Sequence, residues 1–457
     1  MRLRTATALA TLVAAGLTPL TLPSTPASAA TAKYGDDFNG DGYRDYASYD
    51  ESPELGGGVL VTFGTASGPG TVTQHIDQSS PGVYGADEAD DMFGEIRAAA
   101  DLDGDGYGDL AVAARGEDVD GRKDQGAVTI LWGGKNGLSG GTALADKGPK
   151  QSYDYMGGDL ATGDFTGDGK QDLAVVNNGK TYVYRGGFTR SGTTGSVTTL
   201  DKSSSAFDST ALIAGKVDGD SKTDLVIIGD VATGSYIASD AWFVKGGSTL
   251  TSGKTLRLES QSGNGGQADR GGDGVIADFN KDGYGDIAIG TALYSGYKGR
   301  VSLWYGSSTG PDTSSRITQA TSGVAGTPEA DDQFGSSLSA GDVNGDGYQD
   351  LAVGVYGEKI DDKEYAGGVH VFKGRAGGIS GTGSQWFARN SPGIPGALTS
   401  DDGIGWLVRL RDTNHDGTAD LYFTGQAGSL RLPGSSSGIT TTGATPASDV
   451  PIEGFLQ

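Results

Sequence analysis

Asp101-Leu102-Asp103-Gly104-Asp105-Gly106-Tyr107-Gly108-Asp109 runs directly into the apolar Leu110-Ala111-Val112-Ala113, and six further stretches repeat that succession. They are DFNGDGYRD from Asp37, DFTGDGKQD from Asp164, KVDGDSKTD from Lys216, DFNKDGYGD from Asp278, DVNGDGYQD from Asp342 and DTNHDGTAD from Asp412. Successive starts lie 64, 63, 52, 62, 64 and 70 residues apart. Such a period marks a repeat architecture, in which each unit is a supersecondary element that buries its apolar face only against its neighbours.

The apolar run after each loop, such as Leu173-Ala174-Val175-Val176 or Leu225-Val226-Ile227-Ile228, is too short for a helix and reads as a buried strand. A second run follows after a glycine-containing turn, as in Val128 to Trp132, Val301 to Tyr305 and Val369 to Phe372. Another precedes the acidic loop, often opened by Phe-Gly (Phe93-Gly94, Phe334-Gly335), and a polar Thr/Ser-rich segment such as Thr71 to Ile76 comes last. Four such strands make one blade, so seven copies predict an all-β fold, a seven-bladed β-propeller with Ca²⁺-binding hairpin loops. The 81 glycines lack a three-residue period, which excludes a collagen-like chain and fits dense turns.

Residues 1–29 read as a signal peptide: Arg2 and Arg4, a modest apolar stretch from Thr5 to Leu20, and a small-residue cleavage site at Ala27-Ser28-Ala29. Gly16 and Pro19 interrupt that stretch before it reaches spanning length, and no later stretch is long enough to cross a bilayer. The expected product, residues 30–457, is one propeller domain, a secreted monomer of bacterial type. With no cysteine, it has neither disulfides nor a lipidated cysteine. The net charge of −24, which the loss of Arg2 and Arg4 takes to −26, argues against nucleic acid as a partner.

The acidic loops carry the chemistry. Side chains at positions 1, 3, 5 and 9 of the loop, with the carbonyl of position 7, form the all-oxygen set that Ca²⁺ prefers. The sets are Asp37, Asn39, Asp41, Tyr43, Asp45; Asp101, Asp103, Asp105, Tyr107, Asp109; and Asp278, Asn280, Asp282, Tyr284, Asp286. Three more are Asp342, Asn344, Asp346, Tyr348, Asp350; Asp412, Asn414, Asp416, Thr418, Asp420; and Asp164, Thr166, Asp168, Lys170, Asp172, the last weakened by a hydroxyl at position 3. An EF-hand would need a bidentate Glu at position 12, where these copies carry Ser48, Val112, Val175, Ile289, Val353 or Phe423. In the loop from Lys216 a lysine opens the sequence and Ser221 replaces the turn glycine, so six Ca²⁺ sites are expected, with the Lys216 ammonium among Asp218, Asp220 and Asp224 leaving the seventh loop empty.

The unit of Phe-Gly, acidic loop, apolar strand and Gly-Ala-Val or Gly-Gly-Val (Gly126-Ala127-Val128, Gly367-Gly368-Val369) resembles the FG-GAP repeat of the integrin α-chain propeller and its bacterial relatives, over about residues 33 to 450. The resemblance implies Ca²⁺ in hairpin loops on one face and ligands on the other. Leg domains, a transmembrane helix and a cytoplasmic tail are not found in this sequence, so the resemblance points to an extracellular recognition module.

Three stretches fit a bare G-x-S-x-G pattern: Gly137 to Gly141, Gly306 to Gly310 and Gly434 to Gly438. They fall in turns after the third strand, and a nucleophile elbow needs a strand-to-helix turn and a triad partner. No catalytic residue is assigned. The turns Gly116 to Asp124 and Gly357 to Glu364 are lengthened between second and third strands and, with Arg115, Tyr294, Tyr297 and Tyr356, are the expected ligand surface. The expected function is noncatalytic binding of an extracellular protein or glycan; a secreted polysaccharide lyase or hydrolase is the alternative.

Overall fold

The computed structural model describes residues 31–51, 56–202, 205–234, 236–260 and 274–456. The leader assigned to 1–29 lies outside them. Seven antiparallel sheets follow one another along the chain, six of four strands and one of three, each built from strands consecutive in sequence. In blade 2 these are Arg97–Ala100, Asp109–Ala114, Ala127–Trp132 and Ser139–Ala143, with Ala99 opposite Leu110 and Leu110 opposite Leu131. The second strand begins at the last aspartate of the acidic loop and is buried along its whole length in this blade. Its continuous apolar sequence follows, because both faces of the sheet are covered by neighbouring blades.

The core is accordingly divided into layers between blades. Ala98, Ile130 and Trp132 of blade 2 pack with Leu160, Val175 and Tyr184 of blade 3. The same pairing recurs around the molecule, as in Ile228 and Phe243 with Ile289 and Trp304 between blades 4 and 5. The first strands surround a central channel of about 680 Å³, lined by residues such as Ala98, Ala161, Ala214, Val275 and Ala340. Small residues there let six strands and the segment at the far end of the chain approach one axis.

Blade 1 has only Tyr46–Asp50, Gly58–Thr65 and Gly68–Ile76. The space beside Tyr46–Asp50 is filled by the far end of the chain, a 3₁₀ turn at Ile452–Gly454 followed by Phe455. Ile452 and Phe455 are buried with Tyr46 and Tyr422, joining blade 1 to blade 7, and Gly454 sits so close that a Cβ would lie 3.0 Å from the Ala47 nitrogen. The Tyr49 amide donates to Glu453 at 3.2 Å, and Arg409 and Arg411 donate to the carbonyls of Phe455 and Leu456 at 3.2 and 2.6 Å.

The shortest repeat spacing has a local cause. In blade 3 the second and third strands, Asp172–Asn177 and Lys180–Tyr184, are joined by Asn178-Gly179, both with positive φ (48° and 69°). That is the backbone of a tight primed hairpin turn. Blades 2 and 6 instead carry the long turns found in the sequence.

Candidate metal centres and the loops of the opposite face

In an antiparallel blade the first-to-second and third-to-fourth turns share one edge, and the second-to-third turn and the link to the next blade share the other. All seven acidic loops therefore lie on one face of the propeller. In the six complete loops the position-1 carboxylate is the hub of a tight turn. Asp37, for instance, accepts from the amides of Asp41 and Gly42 at 3.1 and 2.9 Å, and Asp101 from Gly104, Asp105 and Gly106 at 2.8, 3.1 and 3.2 Å. Asp164, Asp278, Asp342 and Asp412 repeat the pattern. Gly106 has φ 94°, the left-handed backbone that glycine adopts without strain.

The position-9 aspartates do something the sequence did not announce. Asp45, Asp109, Asp172, Asp224, Asp286, Asp350 and Asp420 are all buried. In the first six, one oxygen accepts from the amide of position 2 or 3 and the other from the glycine that ends the third strand. For Asp109 the donors are Leu102 and Gly133, each at 2.8 Å. These aspartates therefore clamp the loop to the sheet, in addition to any ligand role. Asp224 makes the same clamp, to Val217 and Gly246, in the blade whose loop is incomplete.

Blade 2 brings ligand atoms of Asp101, Asp103 and Asp109 within 4.8 Å of one another. Burial, reinforced by neighbouring carboxylates, pushes Asp109 and Asp45 up to about 7, and Asp286 likewise. Asp350 rises to about 6 for the same reasons. Concentrated oxygen donors that resist ionisation until a cation joins them fit a hard divalent ion. The position-7 amides of Tyr43, Tyr107, Lys170, Tyr284, Tyr348 and Thr418 donate to the position-5 carboxylates, which sets the turn in all six.

Cationic side chains reach three of the loops. Arg190, from the blade 3 turn after its third strand, comes within 3.3 Å of Asp105 and 3.7 Å of Asp103. Arg431, on the third strand of blade 7 (Leu430–Leu432), holds the Asp420 carboxylate at 2.6 Å, a competitor at an otherwise complete site that the aspartate spacing does not reveal. In blade 4 the expected surrogate is corrected. Lys216 is exposed and its carbonyl accepts from Gly285, whereas the ammonium on Asp218 comes from Lys245, with Lys222 on Asp220 at 2.7 Å. Lys245 ends the third strand and so projects across the sheet into the loop; Lys216, at the loop's entry, points away. Ser221 stays outside the left-handed region taken by the glycines at its position.

On the opposite face, the long turns are anchored rather than free. Glu117 and Glu358 accept from Gln78 and Gln319 at 2.5 and 2.6 Å. Burial pushes Glu358 up to about 7 and raises Glu117 as well. Both glutamates thus tie their turn to the preceding interblade link, and only the residues beyond them, Asp118 to Asp124 and Lys359 to Tyr365, form the tips. Of the expected aromatic neighbours, Tyr294 stacks under Arg300 at 3.8 Å and Tyr356 stands beside Tyr365 and Trp406. Trp406 was not singled out from sequence. Its signal was a lone tryptophan where the corresponding residues after Phe-Gly are Glu95 and Ser336.

Two of the three G-x-S-x-G stretches are repeat turns, as expected: Ser307 and Ser435 each donate to the carbonyl three residues on, Gly310 and Gly438, at 2.6 Å, whereas in the third Ser139 opens the fourth strand of blade 2. His75 faces two carboxylates, Asp50 at 3.0 Å and Asp77 at 3.7 Å.

The FG-GAP repeat model matches residues 93–131, 271–304 and 334–372, and the FG-GAP-like repeat model matches 164–227. Integrin alpha-PS2 of Drosophila melanogaster is 32% identical over 218 residues, 44% of this chain and 15% of that protein. Phosphatidylinositol-glycan-specific phospholipase D of Bos taurus is 32% identical over 153 residues, 32% of this chain and 17% of that protein. The chain thus spans less than a fifth of either relative. Among solved structures, the Dos1 propeller aligns over 84% of this chain and 92% of its own at 12% identity, with a TM-score of 0.36. No described helix is long and apolar enough to cross a membrane. Four matches that touch five of the seven blades, with an acidic loop in every blade, show that the chain carries FG-GAP repeats on a β-propeller and is similar to integrin α chains over part of its length.

Proposed function

We propose that this chain is a secreted, noncatalytic recognition module, in which Ca²⁺ bound on one face stiffens the blades and the opposite face binds an extracellular ligand. The carrying observation is the division of labour between faces. The acidic loops are near-copies clamped to the scaffold, which leaves them little freedom to specialise. The opposite loops differ in length and chemistry, and are held at their bases by Glu117 and Glu358 so that their tips are presented in fixed positions. The similarity to integrin α chains supports a protein partner outside the cell, although the chain spans only a small part of them.

In the complete loops the position-1, -3, -5 and -9 residues would hold Ca²⁺, whose chemistry is charge neutralisation of the clustered carboxylates. Asp101, Asp103 and Asp109 form the best assembled set. The role is tested by screening immobilised extracellular proteins and glycans against the wild type and against variants in which Asp118–Lys123 and Lys359–Glu364 are each replaced by a short glycine turn. Binding lost in a trimmed variant that keeps its metal content supports the reading. Turnover of a polysaccharide by the wild type overturns it in favour of a lyase or hydrolase.

A further inference from the structure

Six of the nine exposed large hydrophobic side chains among the described residues are aromatic: Tyr84, Tyr153, Tyr155, Tyr297, Tyr365 and Trp406. All six lie in interblade links or second-to-third turns, on the face away from the acidic loops. The aliphatic members of the set, Leu60, Val72 and Ile237, lie elsewhere, in strands. Four of the tyrosines, Tyr153, Tyr155, Tyr297 and Tyr365, have φ between 50° and 67°. A bulky residue in that region is strained, and such strain is retained where something other than packing selects the residue.

The best-built group is at the junction of blades 6 and 7. Trp406 is 67% exposed, its ring edge-to-face with Tyr356 at 5.5 Å, and Tyr356 is 6.2 Å from Tyr365. The three rings are on a rigid base. Amides of Asp401 and Gly403 donate to the carbonyls of Glu364 and Tyr365, each at 2.9 Å, and Trp406 donates back to Gly403 at 3.1 Å. A Cβ on Gly403 would lie 2.7 Å from the Tyr356 ring, so glycine there is what lets that ring lie down. The exposed residues on the loops that carry the rings include four acids, Asp361, Asp362, Glu364 and Asp401, with Lys359 paired to Glu364 and Lys363 to Asp362 at 3.2 Å, so acids outnumber lysines there by two.

We propose that Trp406, Tyr356 and Tyr365 form a binding platform for a neutral polysaccharide. The proposal rests on the reading of this face as the recognition face, and names its ligand class. Rigid rings, of which Trp406 and Tyr365 stay exposed and Tyr356 is half-buried behind them, on loops that also carry carboxylates, suit pyranose units, whose C–H faces stack on the rings while their hydroxyls donate to the carboxylates. A protein interface core would be a contiguous apolar patch depleted in charge, and this surface is the reverse. Uronate or sulfated chains are disfavoured by the bordering acids and by a net charge of −24.

Trp406 supplies its own reporter, because Trp132, Trp242 and Trp304 are buried and Trp386 is packed into the layer between blades 5 and 6. The test is acrylamide quenching of tryptophan fluorescence, with cellohexaose, maltohexaose and N-acetylchitohexaose as neutral probes and polygalacturonate and oligolysine as charged ones. The expected result is protection by at least one neutral hexasaccharide, with affinity at least tenfold weaker in Trp406→Ala and largely restored in Trp406→Phe. Both positions are on the surface, so folding is checked by an unchanged melting temperature; Tyr365→Ala serves as the second variant should Trp406→Ala fail that check. Protection by none of the neutral probes, or by a charged probe alone, overturns the platform. Protection by oligolysine alone, or a ligand found in the protein screen that ignores Trp406→Ala, sinks the glycan assignment and leaves the recognition reading standing. Cleavage of a protecting hexasaccharide leaves the platform standing and sinks the noncatalytic reading.

Discussion

Lys245 stands where a metal ion would otherwise be, its ammonium held above its ordinary pKa by the hydrogen bond to Asp218 and by the charges of Asp218 and Asp220. Restoring the loop by Lys216→Asp with Ser221→Gly is therefore expected to leave the metal content unchanged, and adding Lys245→Met and Lys222→Gln to raise it by one ion per chain. Metal counting by mass spectrometry on the two variants checks this. A different residue makes a separate contribution to the pH dependence. His370 is fully buried beside Phe334, Phe372 and Trp386, and burial depresses its pKa to about 3. The unfolded chain takes up that proton near pH 6.5 and the folded chain does not, so this group costs stability as pH falls from about 6.5 towards 3, by about 1.4 kcal/mol per pH unit. His370→Leu should raise the melting temperature at pH 4 relative to that at pH 6.5, compared with the same difference in the wild type, on a background in which the buried carboxyl groups raised to about 6 or 7 act in the opposite sense. An unchanged difference would mean that His370 makes no such contribution.

At the scale of the loop, two functions that look like one in the sequence separate. Position 9 accepts from a glycine amide at the end of the third strand in every blade and also ties down the loop in the first six, while positions 3 and 5 act within the loop. Asp224→Asn, in the blade whose loop already contains an ammonium, replaces an acceptor of two backbone amides by a group that is half donor. A loss of about 1–3 kcal/mol is expected, equal with and without Ca²⁺. Asp103→Ala should be the opposite, with a melting temperature close to wild type in EGTA and lower than wild type only in Ca²⁺. Thermal scans of the pair in both conditions check the division; matching calcium dependence in the two variants would refute it. The spacing of the aspartates made the loops legible because each ligand set lies within nine consecutive residues. Lys245, Arg190 and Arg431 were not legible, since each reaches a loop from another strand or blade, and sequence spacing carries no information about which side chain crosses a sheet. Glu117 and Glu358 were visible as part of insertions and were counted with the ligand surface; their anchoring was not legible because their partners Gln78 and Gln319 lie in the preceding interblade link.

For the whole molecule, a Ca²⁺ load on one face should appear as a large stability term. Each site adds about 2.7 kcal/mol at a hundredfold excess over its dissociation constant, so EGTA should lower the melting temperature strongly; calorimetry showing no shift would remove the metal assignment. Ring closure is the other global term. Phe455→Ala removes the aromatic that packs on both Tyr46 and Tyr422 (centroids 5.0 and 5.2 Å), and a cost of about 3–5 kcal/mol is expected from a fully buried phenylalanine. The number of blades was legible from the period alone. That blade 1 would borrow its innermost element from residues 452–455 was not, since the segment has no strand pattern and is recognisable only by what it packs against.

That borrowed element fixes the order of events in time. The contact between Tyr49 and Glu453 joins positions 404 residues apart, and a contact of such sequence separation carries a loop-closure cost that only a largely assembled ring offsets. Blades can therefore form one after another along the chain, each templating the next, but the seam between the first and the last is expected to form last and, by the same token, to be the place where the molecule comes apart. A hydrogen-exchange experiment at partial denaturation should find Tyr46–Asp50 and Ile452–Gly454 opening together before any neighbouring pair of blades.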